Sequence, residues 1–98
     1  MVDDPVFDAV VEAVCTAWNL NRTDLFQRRR YHRIAHPRHA VCHIMHKTLG
    51  YSKKRIAFLV EKDRTTIISA IRHADDWITT DDTFRGRYLT ACQLLRVA

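Results

Sequence analysis

Lys62-Asp63-Arg64-Thr65-Thr66 packs into one short stretch the donors and acceptors needed to read the edge of a base pair. Asp63 can accept from a cytosine amino group, Arg64 can fork onto a guanine, and Thr65 can offer its methyl to thymine. These groups are useful only at the tip of an element narrow enough for the major groove, and the start of a helix is one. A stretch of single sign lies just upstream. Between Leu25 and Val60 there are nine Lys/Arg, five His and no Asp or Glu. Residues 1–24 hold one Arg against five acids and residues 61–98 six Lys/Arg against six, so the excess behind the formal +5 sits in the middle. Such a block feeding a polar helix start points to a polyanionic partner, and with these reader residues to double-stranded DNA.

Duplex recognition also needs flexible cations on phosphates, which supply salt-dependent affinity without sequence information. Lys47, Lys53, Lys54 and Arg55 flank the expected helix-turn-helix and suit that role, together with Arg28, Arg29 and Arg38. The arginine run Arg28–Arg30 also suits a narrow, A·T-rich minor groove, whose potential attracts guanidinium.

Other chemistries are poorly served. His39, His43 and His46 recur along one stretch, with Cys42 and His36 close by, and imidazoles a turn apart can converge on one ion. A helix supplies two convergent ligands readily and a third poorly, no distant Cys/His pair completes a metal-site spacing, and the neighbouring cations oppose a divalent ion. No metal or other cofactor is expected, and the histidine face reads as the half-exposed, basic, DNA-facing side of a helix. Catalysis has less support still. There is no Ser/His/Asp set in an activating context and no Gly-rich phosphate cradle, and Asp75-Asp76 and Asp81-Asp82 read as helix-end residues, so no enzyme is expected.

The elements that must position the reader are helical. A chain of 98 residues, 47% apolar, makes one folded domain, and its two Gly and two Pro favour helices over a turn-dense β sandwich. Asp4-Pro5 opens a first helix with Phe7, Val10, Val11, Val14, Cys15 and Trp18 on one face, ending near Asn19. Thr23 or Asp24 then caps a short turn through Leu25 and Phe26. Gln27 to Arg33 reads as a solvated loop, because its arginines repel one another. Pro37 starts a helix running to about Leu49, with Ala40, Val41, Ile44, Met45 and Thr48 or Leu49 inward and Gly50 left-handed at its end. Ser52 caps a helix carrying Ile56, Ala57, Leu59 and Val60, and Glu61-Lys62 turn the chain. Asp63 caps the next through the amide near Thr66, with Ile67, Ile68, Ile71, Ala74, Trp77 and Ile78 as its apolar set. A last helix carries Phe84, Tyr88, Ala91, Cys92 and Leu95. The expected fold is all-α, five to six helices around a helix-turn-helix.

Cys15, Cys42 and Cys92 are odd in number and widely spaced, which fits reduced thiols buried on helices. The acidic N-terminus lacks the basic-then-apolar run of a signal peptide, and no stretch approaches a membrane span. A cytoplasmic, nucleoid-associated location is therefore expected.

Three segments carry a family likeness: Arg28-Arg29-Arg30, Ile34-Ala35-His36-Pro37-Arg38, and Lys62-Asp63-Arg64-Thr65-Thr66-Ile67 with Ala70 and His73 following. In this order they resemble the C-terminal DNA-binding domain of DnaA, the bacterial chromosomal replication initiator, and the resemblance runs from about Val6 to Leu95. It implies a Trp-repressor-like helix-turn-helix that reads a short asymmetric box with an A·T-rich end. By that resemblance Arg30 enters the minor groove, Asp63, Arg64 and Thr65 read bases in the major groove, Thr66 adds a further contact, and Arg38 and Lys47 hold the backbone. There are departures. Arg64 stands where the family usually has His, which shifts preference towards guanine, and Val60-Glu61 stands where a glycine pair is usual. His32 and His36 replace basic positions, which makes binding strengthen on acidification.

The family's ATPase and oligomerisation domains are not in this sequence, so no ATP hydrolysis is expected. The expected role is that of a replication modulator or transcriptional regulator of host, phage or mobile-element origin, acting by occupying sites as a monomer or weak homodimer. Two other readings stand beside it: a helical interaction module contacting replication or regulatory proteins, and a transposase-type DNA-binding subunit.

Overall fold

Asp4 sets the start of the first helix: its Oδ1 accepts the amides of Val6 and Phe7 at 3.0 and 3.1 Å, and Pro5 takes the first helical position, where a missing N–H costs nothing. The computed structural model describes residues 4–25 and 32–95. Its elements are α1 (Pro5–Trp18), α2 (Arg22–Leu25), α3 (His32–His43) continued by a π-helical turn (Ile44–Thr48), α4 (Lys53–Val60), α5 (Arg64–Thr80) and α6 (Asp82–Leu94). The fold is all-α.

All six residues expected on the inner face of α1 are buried. The helix closes on Asn19 at φ 56°, where the Asn19 amide donates to Thr16 at 3.3 Å and the Leu20 amide to Cys15 at 2.8 Å. The cap of α2 differs from expectation. Asn21 supplies it, its Oδ1 accepting the Asp24 amide at 2.8 Å, because Thr23 and Asp24 already lie inside the helix.

The largest correction falls on α3. A loop is expected up to Pro37, yet the helix is under way by His32 and Pro37 lies within it. A proline here removes the bond to the carbonyl four residues back and crowds that carbonyl, and its fully buried ring offsets this cost by packing in the core. The expected loop residues from Gln27 to Tyr31 lie outside the described residues.

Farther along, Ala40, Val41, Cys42, His43, Ile44 and Met45 are consecutive and all buried. An amphipathic helix buries one stripe; a helix buried all round runs through the core. α1, α5 and the short α2 lie against α3. Its end widens into the π turn, where Leu49 donates to Ile44 at 3.1 Å and Tyr51 to Met45 at 2.9 Å, and Gly50 sits at φ +76° as expected. Thr48 is exposed and Leu49 half-buried.

Burial all round forces His43 to find partners inside. Its Nε2 lies 2.6 Å from Asp75 Oδ1 on α5 and its Nδ1 2.7 Å from the Tyr88 hydroxyl on α6. A carboxylate only accepts, so Nε2 carries a proton, and in the neutral ring Nδ1 then accepts from the Tyr88 hydroxyl. Burial pushes the Tyr88 phenol up to about 12, which keeps it a donor. One imidazole thus ties three helices together. A second tie joins α1 to the start of α4: the Tyr51 hydroxyl donates to both Asp4 carboxylate oxygens at 3.2 and 3.1 Å, and Arg55 Nη2 stands 3.6 Å from Oδ2. The Phe7 amide, helped by Tyr51, holds the Asp4 carboxyl below its ordinary value.

Trp18 and Phe84 meet edge to face at 5.5 Å, joining α1 to α6. All three cysteines are free and buried, as expected, and burial raises each thiol, Cys42 to about 12. Among the described residues, no helix is long and apolar enough to cross a membrane.

The His43 bridge makes a testable prediction. Tyr88→Phe leaves the buried Nδ1 without a donor and costs roughly 1–3 kcal/mol by urea midpoint, and adding His43→Leu to it restores part of that loss. A double variant weaker than the single one would show that the bridge is not what the hydroxyl serves.

Candidate nucleic-acid interface

α4 and α5 form the helix-turn-helix. Ser52 Oγ accepts the Arg55 amide at 3.1 Å and starts α4, with Ile56 and Ala57 buried and Leu59 and Val60 half-buried. The turn after Val60 is hydrogen-bonded twice. The Glu61 amide donates to Phe58 at 3.4 Å, the Lys62 amide donates to Ala57 at 3.0 Å, and Glu61 is left-handed at φ 57°. Glycine usually fills this conformation because it has no Cβ to crowd the next carbonyl. Here the side chain is exposed and the paired amides hold the turn without it.

Asp63 then adopts extended backbone, φ −67° and ψ 152°, and its carbonyl closes the first turn of α5 by accepting the Ile67 amide at 3.1 Å. The side-chain cap expected of Asp63 is not made. The carbonyl already anchors the helix start, and the carboxylate stays exposed. Arg64, Thr65 and Thr66 follow, all exposed, while Ile67, Ala70, Ile71 and Ala74 are buried one turn later. Ile68, Trp77 and Ile78, expected in the core, are half-buried, because the seat of α5 is narrower than its apolar stripe. The result is a rigid helix with a polar tip held clear of the core.

The cations divide by environment. Lys47 and Lys54 are exposed and Lys53 is half-buried. Arg55 is partly committed to the protein, through Asp4 and through the Phe58 ring, whose centroid lies 5.9 Å from its guanidinium carbon. Arg38 is half-buried, its Nε donates to the Leu25 carbonyl, and burial lowers its pKa. It therefore also fastens α3 to α2. Arg28, Arg29 and Arg30 lie outside the described residues. Lys62, part of the expected reader stretch, is exposed in the turn, and beyond the expected contacts stand two further exposed polar residues on α5, Ser69 and Arg72. Helical spacing is the signal that finds the last two, since they follow Thr65 at i+4 and i+7 on one face.

The histidine face needs correcting. His43 is buried in its three-helix bridge, and His46 Nδ1 lies 2.8 Å from the Tyr51 carbonyl. His39 packs on Trp77 at 5.0 Å and on His73 at 5.6 Å between ring centroids. This face lies against α5 and α6, not towards a ligand, because Ala40 to Met45 have no exposed side to turn outward. Among the described residues no group of three or more His, Cys, Asp or Glu could hold a metal ion.

A polar, exposed helix tip projecting from a turn-linked helix pair on a basic chain defines a DNA-binding helix-turn-helix domain. The family model of the bacterial DnaA protein helix-turn-helix matches residues 7–73, more than half of the chain, and the chain belongs to that family. It binds DNA through this helix-turn-helix. The matched span takes in α1 from Phe7 to the first half of α5 and stops short of α6.

The turn can be tested by itself. Glu61→Gly relieves a left-handed side chain at a modest entropic cost and should raise stability by roughly 0.5–1 kcal/mol. A thermal midpoint at or below wild type would mean that Glu61 makes a compensating contact.

Proposed function

We propose that this chain recognises a short asymmetric duplex of the DnaA-box kind, with α5 in the major groove and the Arg28–Arg30 segment in the adjacent minor groove. The observation that carries the reading is the division along α5. Arg64, Thr65 and Thr66 are exposed and Asp63 leaves its carboxylate uncapped, while the next turn is locked into the core. Asp63, Arg64 and Thr65 are then the base readers and Thr66 a further contact. Lys47, Lys53 and Lys54 neutralise phosphates, with Arg38 and Arg55 as lesser contributors because each also serves the protein. Ser69 and Arg72 extend the contact face along the groove. Such a domain acts by occupancy, as a modulator of replication or transcription, with no nucleotide chemistry of its own.

Titration of a fluorescent duplex carrying a DnaA-type box against a scrambled one, over a salt series, tests the reading. A steep salt slope and a preference of ~4 kcal/mol or more for the box are expected. Equal, weak binding to both duplexes sinks it.

The division of labour gives a second test. Arg64→Ala should cost about 1–3 kcal/mol on the best box and relax one base position, while Lys54→Ala should weaken all duplexes alike and lower the salt slope by about 1. Identical behaviour of the two variants would mean that the readers are placed wrongly.

A further inference from the structure

Three imidazoles meet in the seam between α3 and α5, beneath the recognition helix. His36 packs on Trp77 at 4.2 Å with the rings tilted by 45°, and lies edge-on to Phe84 at 5.7 Å. His39 sits at 5.0 Å from Trp77 and 5.6 Å from His73, which in turn stacks on Trp77 at 5.7 Å. The Nδ1 of His39 is buried and has no hydrogen-bond partner. A neutral imidazole can leave that nitrogen as an unused acceptor. An imidazolium cannot, since it would place a charged N–H there with nothing to receive it.

We propose that this seam makes the seat of the recognition helix acid-sensitive: proton uptake at His39, opposed by its neighbours His73 and His36, loosens α5 from α3, so that duplex DNA held near neutral pH is released under mild acid.

The charges around His39 leave it no relief. From α3 it faces His36 and Arg38, and from α5 His73, all of them basic. α6 presents the uncharged Phe84 to the cluster. The carboxylate nearest in kind, Asp75, is taken by His43. Asp81 and Arg87 line a cleft with His36 that His39 does not share. Trp77 can welcome a cation on its face, yet three imidazoles already share that ring, and burial with like charge outweighs the attraction. These causes, burial first, push His39 down to about 4 from an ordinary 6.5.

The direction follows from linkage. A histidine depressed in the folded state binds its proton more readily when the seam is open. Its contribution to stability is complete above the ordinary value of 6.5 and is lost as pH falls towards about 4. In that window the open state gains on the closed one by up to about tenfold per pH unit. The sign opposes simple electrostatics, in which extra imidazolium charge strengthens the grip on phosphates.

The functional half of this inference rests on the DNA-box reading, so the two are measured separately. Urea unfolding of the DNA-free wild type, His39→Gln and His73→Gln, from about pH 7.5 down to about 5, reads the seam alone. The wild type should lose about tenfold more in its folded-to-unfolded ratio than His39→Gln between 6.5 and about 5. His73→Gln, at an exposed position, should lie between them and serves if His39→Gln does not fold. Parallel loss in all three proteins overturns the seam. Box-duplex affinity at constant ionic strength should fall with acid in wild type and fall less in His39→Gln; affinity that rises steadily with acid in both overturns the release. Wild type that ignores the box near neutral pH overturns the DNA reading and the release together, while the unfolding series still decides the seam.

Discussion

The fold depends on one helix having no outside. From Ala40 in α3 to Met45 in the π turn the chain is buried on all sides, and α1, α2 and α5 lie against α3. A helix so enclosed cannot be purely apolar when its sequence includes a histidine, and the solution is to pair both ring nitrogens of His43 across helix boundaries. The ring of Pro37, inside the same helix, is likewise fully buried. Cys42 shares the enclosed stretch, and its burial favours the protonated thiol.

The reader helix inherits its rigidity from this arrangement. α5 buries Ile67, Ala70, Ile71 and Ala74, meets α3 where His73 and Trp77 pack on His39, and receives the Asp75 end of the His43 bridge. One turn of α5 stays clear of that seat, and it holds Asp63 to Thr66. Precise placement of a few polar groups on an unyielding support is what direct readout needs, since a misplaced fork reads no base. α4 is held less by burial than by its ends: Ser52 at its start, the Asp4–Tyr51–Arg55 cluster beside it, and the bonded turn after Val60.

Much of this was legible from the residues. The inner face of α1, the caps at Asp4 and Ser52, the left-handed Gly50 and the start of α5 all rest on local rules, spacing and capping, that act within a few residues. The misses share a cause. That α3 continues through Pro37 depends on the burial of its ring, and that His39 and His43 face inward and Asp75 bridges to a histidine instead of serving a helix end depends on partners 32 or more positions away. A histidine is polar by type and buried by circumstance, and only the tertiary partner decides which description holds. Within the site, the reader tip was legible because it is contiguous; Ser69 and Arg72 were not, because charge and capping signals stop at the first turn.

The turn between α4 and α5 bends without glycine. Two backbone amides hold the bend around a solvated glutamate at φ 57°, a conformation that glycine fills most easily. The path of the chain there is set by main-chain hydrogen bonds, and the corner therefore carries a solvated carboxylate two residues before Asp63.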